Sequence, residues 1–346
     1  MRTGGDLVVE TLAALGARTV FGIPGQHALG LFDALRRSQL ELFSSRVENN
    51  AAFAADGYAR TADRPAILIV STGPGALTAL AGVHEAYASS VPMLVISSQI
   101  PEAGLGGRRK GMLHELDDQQ ASARNVTKSQ EVIHKASSIP YVLEDAWQTT
   151  LTAPQGPVWV EIPQDILLGP ASVPPPGELQ VTVPQLQPHS GSVLRAAELL
   201  AHAQRPAIVA GGGVRRSGAS AHAALIELAE LIDAPVVCTP GGNSAFPNLH
   251  ALSLGSWVED RHVTETLDDA DVLLAVGTSL GEISSNYYTL QPRGEFIQID
   301  AHVRVLESNY PGLGIRADAG LALEEILSAL RQAPQPVESD WHGQSA

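Results

Sequence analysis

The stretch AILIVSTGPGALTALAGVHEAYASSVPMLVISS (residues 66–98) decides the architecture. Its ends, AILIVST (66–72) and PMLVISS (92–98), are nearly all apolar, as strands buried on both faces must be. Between them, GALTALAGVHEAYAS (75–89) has a helical pattern. Strand, helix and strand in succession predict a parallel sheet with helices on its faces.

Working outward, TVFGI (19–23) and PVWVEIP (157–163) read as further strands and LVVETLAALGA (7–17) as a helix. Residues 164–190 change character, concentrating proline without sustained periodicity. The alternation then restarts with a helix at 193–203, a strand and glycine turn at 206–213, and a helix at 223–234. Strands at 235–240, 271–278 and 295–300 and a helix at 320–330 follow. The expected fold is α/β, with two doubly wound parallel-sheet domains over 1–168 and 191–334. A Pro-rich linker (169–190) joins them and a frayed tail (335–346) follows. The two halves share an architecture without a sequence-level repeat.

The chain has 346 residues, enough for about two domains. A net charge of −15 argues against nonspecific binding to nucleic acid or to anionic membranes. The single cysteine, Cys238, allows no internal disulfide and suggests a reducing, cytoplasmic setting. No apolar stretch approaches the roughly 18 residues of a spanning helix.

Several motifs sit where strands meet helices. FGIPGQH (21–27) carries Pro24-Gly25 in a turn that exposes side chains at a strand's carboxyl end, where open α/β sheets place ligands. In STGPG (71–75), Gly73 and Gly75 allow a ligand to approach the backbone and Thr72 offers a hydroxyl, but the Lys-Ser/Thr ending of a P-loop is missing. VAGGGVRRSGA (209–219) misses the dinucleotide fingerprint, because Arg216 stands where its last glycine belongs. His114 lies in the polar segment KGMLHELDDQ (110–119), within reach of a substrate if that loop faces a site. Glu48 opens RVENNAAFAADGYAR (46–60), and a helix there puts Ala51, Ala52, Ala55 and Ala59 on one face. The helix N-terminus favours the carboxylate, whereas burial favours the neutral acid. An ordinary first-turn acid would occupy the same position.

In order and spacing these elements go together. VFGIPG (20–25), ENNAAFAADGYAR (48–60), residues 71–98 and PQGPVWVEIPQDI (154–166) cover nearly all of residues 4–168. They resemble the thiamine-diphosphate-dependent enzymes of the acetolactate synthase and benzoylformate decarboxylase kind. The resemblance implies that the first domain holds the cofactor's aminopyrimidine ring. Residues 190–330, with RPAIVAGGGV, APVVCT and DADVLLAVGT, are similar to the family's Rossmann-like central domain. Glu48 then matches the glutamate that hydrogen-bonds the far ring nitrogen and drives formation of the ring's imine. The family's tight cleft is expected to keep it partly protonated. Pro24, Gly25 and Thr72 match positions near the pyrimidine, and Gln26, His27 and His114 fall where substrate-facing residues lie. The resemblance also implies 2-oxo acid substrates and a homodimer or homotetramer with the site between two chains.

The departures are specific. The family binds diphosphate and Mg²⁺ through a third domain marked by Gly-Asp-Gly, and no Gly-Asp-Gly occurs here; the only Gly-Asp is Gly5-Asp6. The expectation is that this domain is absent or is a separate subunit, that no residue here is a metal ligand, and that the chain alone is inactive. SLGEISSN (279–286) replaces the acetolactate synthases' Arg-Phe-Asp-Asp-Arg stretch, which makes FAD binding doubtful. His114 stands where those synthases usually carry Gln, which moves the reading toward a benzoylformate-decarboxylase-like decarboxylase or a carboligase. Two alternatives stay open: a non-catalytic dimeric binding protein, and an oxidoreductase binding nicotinamide near Gly211–Gly213.

Overall fold

The structure, a computed structural model, describes residues 1–62, 64–177, 179–332 and 341. The chain divides into two compact units, Met1–Pro184 and Gln185–Ala346. Each is built on one parallel sheet with helices on both faces.

Unit 1 holds β1 (Thr19–Gly22), β2 (Glu41–Phe43), β3 (Ala66–Val70), β4 (Met93–Gln99), β5 (Gln130–Val132) and β6 (Pro157–Pro163). Their order across the sheet is β2-β1-β3-β4-β6-β5, all parallel. The connecting helices are α1 (Gly4–Ala14), α2 (Leu29–Arg36), α3 (Glu48–Ala59), α4 (Pro74–Ala88), α5 (Gln119–Ala123), α6 (Ile139–Leu151) and α7 (Gln164–Leu168). Alternation along the fully buried β3 divides its side chains between two cores. Ile67 and Ile69 pack with α1, α2 and α6, while Ala66, Leu68 and Val70 pack with α3 and α4. The apolar runs in 66–98 thus form central strands. The edge strands β2 and β5, three residues each, are too short to show a period and escape the sequence reading.

Helix α1 starts in a capping box: Thr3 Oγ1 accepts from Asp6 N (3.2 Å) and Asp6 Oδ2 accepts from Thr3 N (2.8 Å). The Gly5-Asp6 pair is therefore spent on a helix start. The residues read as a linker begin on unit 1. Thr3 bridges Pro170, Leu179 N donates to Ala14 O (3.2 Å), and Val173, Leu179 and Val181 pack on the α1 side of the core.

Unit 2 holds β7 (Pro206–Ala210), β8 (Val236–Cys238), β9 (Val272–Val276), β10 (Glu295–Asp300) and β11 (Leu313–Arg316), ordered β11-β10-β9-β7-β8. Its helices are α8 (Ser190–His202), α9 (Gly212–Arg216), α10 (Ala219–Leu231), α11 (Arg261–Asp269) and α12 (Ala319–Gln332). Helices α8, α10 and α12 cover one face and α11 lies on the other. Counted from each unit's first strand, both sheets share the order second-first-third-fourth, so the common architecture is topological. Cys238 is free and buried. Of the tail, only Trp341 is described: it is partly buried and donates from Nε1 to Pro206 O (3.1 Å). The rest of 335–346 lies outside the described residues. Among the described residues no helix is long and apolar enough to cross a membrane.

Helices α3 and α4 meet through their smallest residues. A Cβ added at Gly82 would lie 2.6 Å from Ala52 Cβ and 2.9 Å from Phe53 N. This contact sets the two helix N-termini side by side, with Glu48 opening one and Gly75 in the first turn of the other. Gly82→Val should overpack it and destabilise the protein by about 1–3 kcal/mol, read in urea denaturation; an unchanged midpoint would contradict the packing.

Candidate active site

The carboxyl ends of β1 and β3 and the N-termini of α3 and α4 converge on one cleft. Glu48 is the first residue of α3. A Cβ at Gly75 would stand 3.2 Å from Glu48 Oε1 and 3.4 Å from the Ser71 Cβ. A Cβ at Gly25 would come within 2.4 Å of the Ser71 side chain. The structure thus brings Gly25, Ser71, Gly75 and the Glu48 carboxylate into close contact, an approach that a side chain at either glycine would block. Among the described residues of unit 1, three buried polar atoms have no hydrogen-bond partner: Ser71 Oγ, Asn49 Oδ1 beside Glu48 in sequence, and His27 Nδ1. Buried polar groups are rarely left unpaired, and such orphans mark places where another group completes the structure.

Glu48 is only half-buried within this chain. The dry enclosure expected from the sequence is not supplied by the chain's own residues, because the carboxylate sits at a helix start on the rim of the unit.

The second group surrounds Gly73. This residue is buried, adopts φ +63°, and precedes α4 as its N-cap. A Cβ there would strike the His114 carbonyl oxygen at 2.4 Å, so the loop bearing His114 lies directly on the turn. His114 is exposed and itself has φ +59°, a left-handed conformation uncommon outside glycine. Its ring stands edge-on to that of His27, with centroids 6.4 Å apart. Burial, and then the neighbouring His114, hold the His27 imidazole below its usual range. Pro24 and Gln26 are exposed, and the Gln26 carbonyl accepts from Gln164 Nε2 (3.2 Å).

Thr72 departs from expectation. It is fully buried, and its hydroxyl lies 3.3 Å from Ser98 Oγ inside the sheet, so it is not offered to the cleft. The polar group at the cleft is its neighbour Ser71, which the sequence reading passed over. That reading also missed Glu161 on β6, a carboxylate that is 1% exposed. Burial pushes its pKa up, against hydrogen bonds donated by Trp159, Gln99 and Gln119. A signal was present: PVWVEIP sets a charge inside a run with apolar neighbours on both sides.

In unit 2, Gly211 and Gly213 have another explanation. A Cβ at Gly213 would lie 2.6 Å from Gly277 Cα, and one at Gly211 would lie 2.2 Å from Gly277 O. Gly213 N donates to Gly277 O (2.9 Å) and Gly211 N to Val276 O (2.8 Å). These glycines let two loops approach, and two amides that a pyrophosphate would need are already spent. Among the described residues, no group of three or more His, Cys, Asp or Glu is arranged to hold a metal ion.

Comparison with known proteins follows the same division. Residues 2–122 match the family model described as "Thiamine pyrophosphate enzyme, N-terminal TPP binding domain", and residues 193–326 match "Thiamine pyrophosphate enzyme, central domain". The probable 2-ketoarginine decarboxylase AruI of Pseudomonas aeruginosa is 34% identical over 331 residues, covering 95% of this chain and 58% of the relative. A probable acetolactate synthase large subunit of Methanocaldococcus jannaschii is 32% identical over 342 residues, 94% of this chain and 56% of the relative. The acetolactate synthase isozyme 3 large subunit of Escherichia coli is 31% identical over 356 residues, 99% of this chain and 61% of the relative. The chain therefore spans little more than half the length of these relatives. With both family models falling in order on two parallel-sheet units, the chain belongs to the thiamine pyrophosphate enzyme family.

Proposed function

We propose that this chain supplies the aminopyrimidine-binding side of a thiamine-diphosphate-dependent site that acts on 2-oxo acids and is completed by a second copy of the chain. The observation that carries this reading is the Glu48 carboxylate set against Gly75 and Ser71 at a glycine-lined cleft with unpartnered polar atoms. These residues suit a flat, nitrogen-rich ring: Gly25 and Gly75 carry no side chain to push Ser71 and Glu48 apart, and Ser71 Oγ and Asn49 Oδ1 lack partners. Thiamine diphosphate, when bound, supplies a thiazolium that serves as nucleophile and electron sink. Glu48 would hold and exchange a proton at the bound ring's nitrogen, the role of a positioned general acid–base. His27 and His114 face the substrate side, where a neutral His27 can accept a proton. No residue of this sequence is assigned to the diphosphate or to Mg²⁺.

The surface around the cleft supports a second copy as cover. Phe43, Val47, Phe53, Leu77 and Tyr87 are exposed on β2, the entry to α3, α3 itself and α4. Such an apolar group on a chain of net charge −15 suits burial against another subunit. Within the 2-oxo acid reading, the relatives' names include both a decarboxylase and synthases. His114 favours decarboxylation or carboligation over acetolactate synthesis. The product, free aldehyde or acetolactate, decides between them.

Glu48→Gln should lower kcat of the assembled enzyme by about 10²–10⁴-fold while leaving its thermal midpoint unchanged. Undiminished turnover would refute the assignment and favour a non-catalytic binding protein. The lowered pKa of His27 makes its neutral form the one the fold accepts. That stabilisation is present above the ordinary imidazole value of 6.5 and is lost as pH falls through the lower folded value. The midpoint of the wild-type protein should fall across that window, and His27→Gln should flatten the fall. Parallel curves would contradict the burial argument.

A further inference from the structure

Glu161 lies on β6 with no place in the chemistry above. Its Oε1 accepts from Trp159 Nε1 (2.9 Å) and Gln119 Nε2 (3.2 Å), and its Oε2 accepts from Gln99 Nε2 (3.0 Å). Both glutamine orientations are fixed by backbone donors. Gln99 Oε1 accepts from Ile100 N (2.8 Å), and Gln119 Oε1 accepts from Gly73 N (2.8 Å). Gln119 Nε2 also reaches Ser97 Oγ (3.1 Å) and Ser98 O (3.3 Å). Gln119, 2% exposed, is the first residue of α5, whose N-cap Asp118 accepts from Ala121 N (2.9 Å). A buried carboxylate surrounded by three neutral donors is expensive to hold, and the two glutamine amides among them are each tied at their other end to a backbone N–H.

The downstream end of this chain of contacts is the turn that builds the cleft. Gly73 carries the positive φ that starts α4 and supports the His114 loop. Its N–H is spent on Gln119 Oε1. Two residues on, Gly75 meets the Glu48 carboxylate. We infer that Glu161 and Gln119 form a positioning relay: the buried carboxylate locks the Gln119 amide, and the locked amide holds the Gly73 turn at the angle that sets Gly75 under Glu48 and His114 over the turn. The inference rests on the proposed reading of that cleft. Neither residue touches cofactor or substrate; both act through the backbone of Gly73.

The test combines amide hydrogen exchange on the 346-residue chain with kinetics of the assembled enzyme. Gln119→Met and Glu161→Gln should each speed exchange of the Gly73 amide about 10-fold, the loss of one hydrogen bond, while amides of α1 and β1 keep wild-type protection. The double variant should exchange no faster than Gln119→Met, because the two act in series. Gln99→Met, which removes a donor on the other oxygen of Glu161, should leave Gly73 protected. In the assembled enzyme, Glu161→Gln should lower kcat and leave KM within about twofold, the pattern of a misplaced reacting group rather than lost binding. Wild-type protection of Gly73 in Glu161→Gln, additive effects in the double variant, or lost protection without a change in kcat would each overturn the relay. Should Glu161→Gln not fold, Gln119→Met alone decides: unchanged exchange at Gly73 refutes the proposal. The exchange arm needs no cofactor, so failure of wild-type protein to bind thiamine diphosphate would count against the reading of the cleft and leave the exchange result standing.

Discussion

Two helices that carry no large side chain at their crossing govern the geometry of unit 1. Ala52 and Gly82 allow α3 and α4 to approach until a single added carbon would clash. The spacing follows from volume, since close-packed interiors transmit such contacts over several residues. One turn before this crossing on α3 stands Glu48, and two turns before it on α4 stands Gly75. Their proximity is a consequence of the crossing. The small residues that look like ordinary helix formers in 48–60 and 75–89 therefore fix where the carboxylate can reach.

The parts of the fold that were legible in sequence are those with long, uniform physical signals. The central strands β3, β4 and β6 are apolar throughout because helices cover both of their faces, and that composition is visible without a structure. Strands β2, β5 and β11 are short edge strands, partly or fully exposed, and carry no comparable pattern. At the site, Glu48, Gly25 and Gly75 were legible because glycine turns and helix starts have fixed meanings at strand ends. The choice between Ser71 and Thr72 was not. It depends on which side chain faces the sheet interior after the last residue of β3, and Thr72 is the one that turns to Ser98. Glu161 was written in the sequence as a charge among apolar residues, but its partners Gln99 and Gln119 come from distant segments that no spacing rule connects.

The two units illustrate how one topology serves different ends. Both sheets share a strand order, and both have glycines after a central strand. In unit 1 Gly73 carries the His114 loop and Gly75 meets the Glu48 carboxylate, whereas in unit 2 Gly211 and Gly213 meet only the Gly277 turn and its neighbouring backbone. The same residue type in the same topological place thus marks a cleft in one unit and a packing contact in the other. The distinction rests on what each glycine's missing Cβ would have met.

The central claim is that Glu48 drives proton transfer within a ring docked against Gly25 and Gly75. Its most direct measurement is the rate at which the thiazolium C2 proton of enzyme-bound thiamine diphosphate exchanges with deuterated solvent, followed by NMR after rapid quenching of the assembled enzyme. The account predicts that Glu48→Gln slows this exchange by about 100-fold or more, the lower end of what a positioned acid–base contributes. Equal exchange rates in the wild-type and Glu48→Gln enzymes, with the cofactor bound in both, would contradict it.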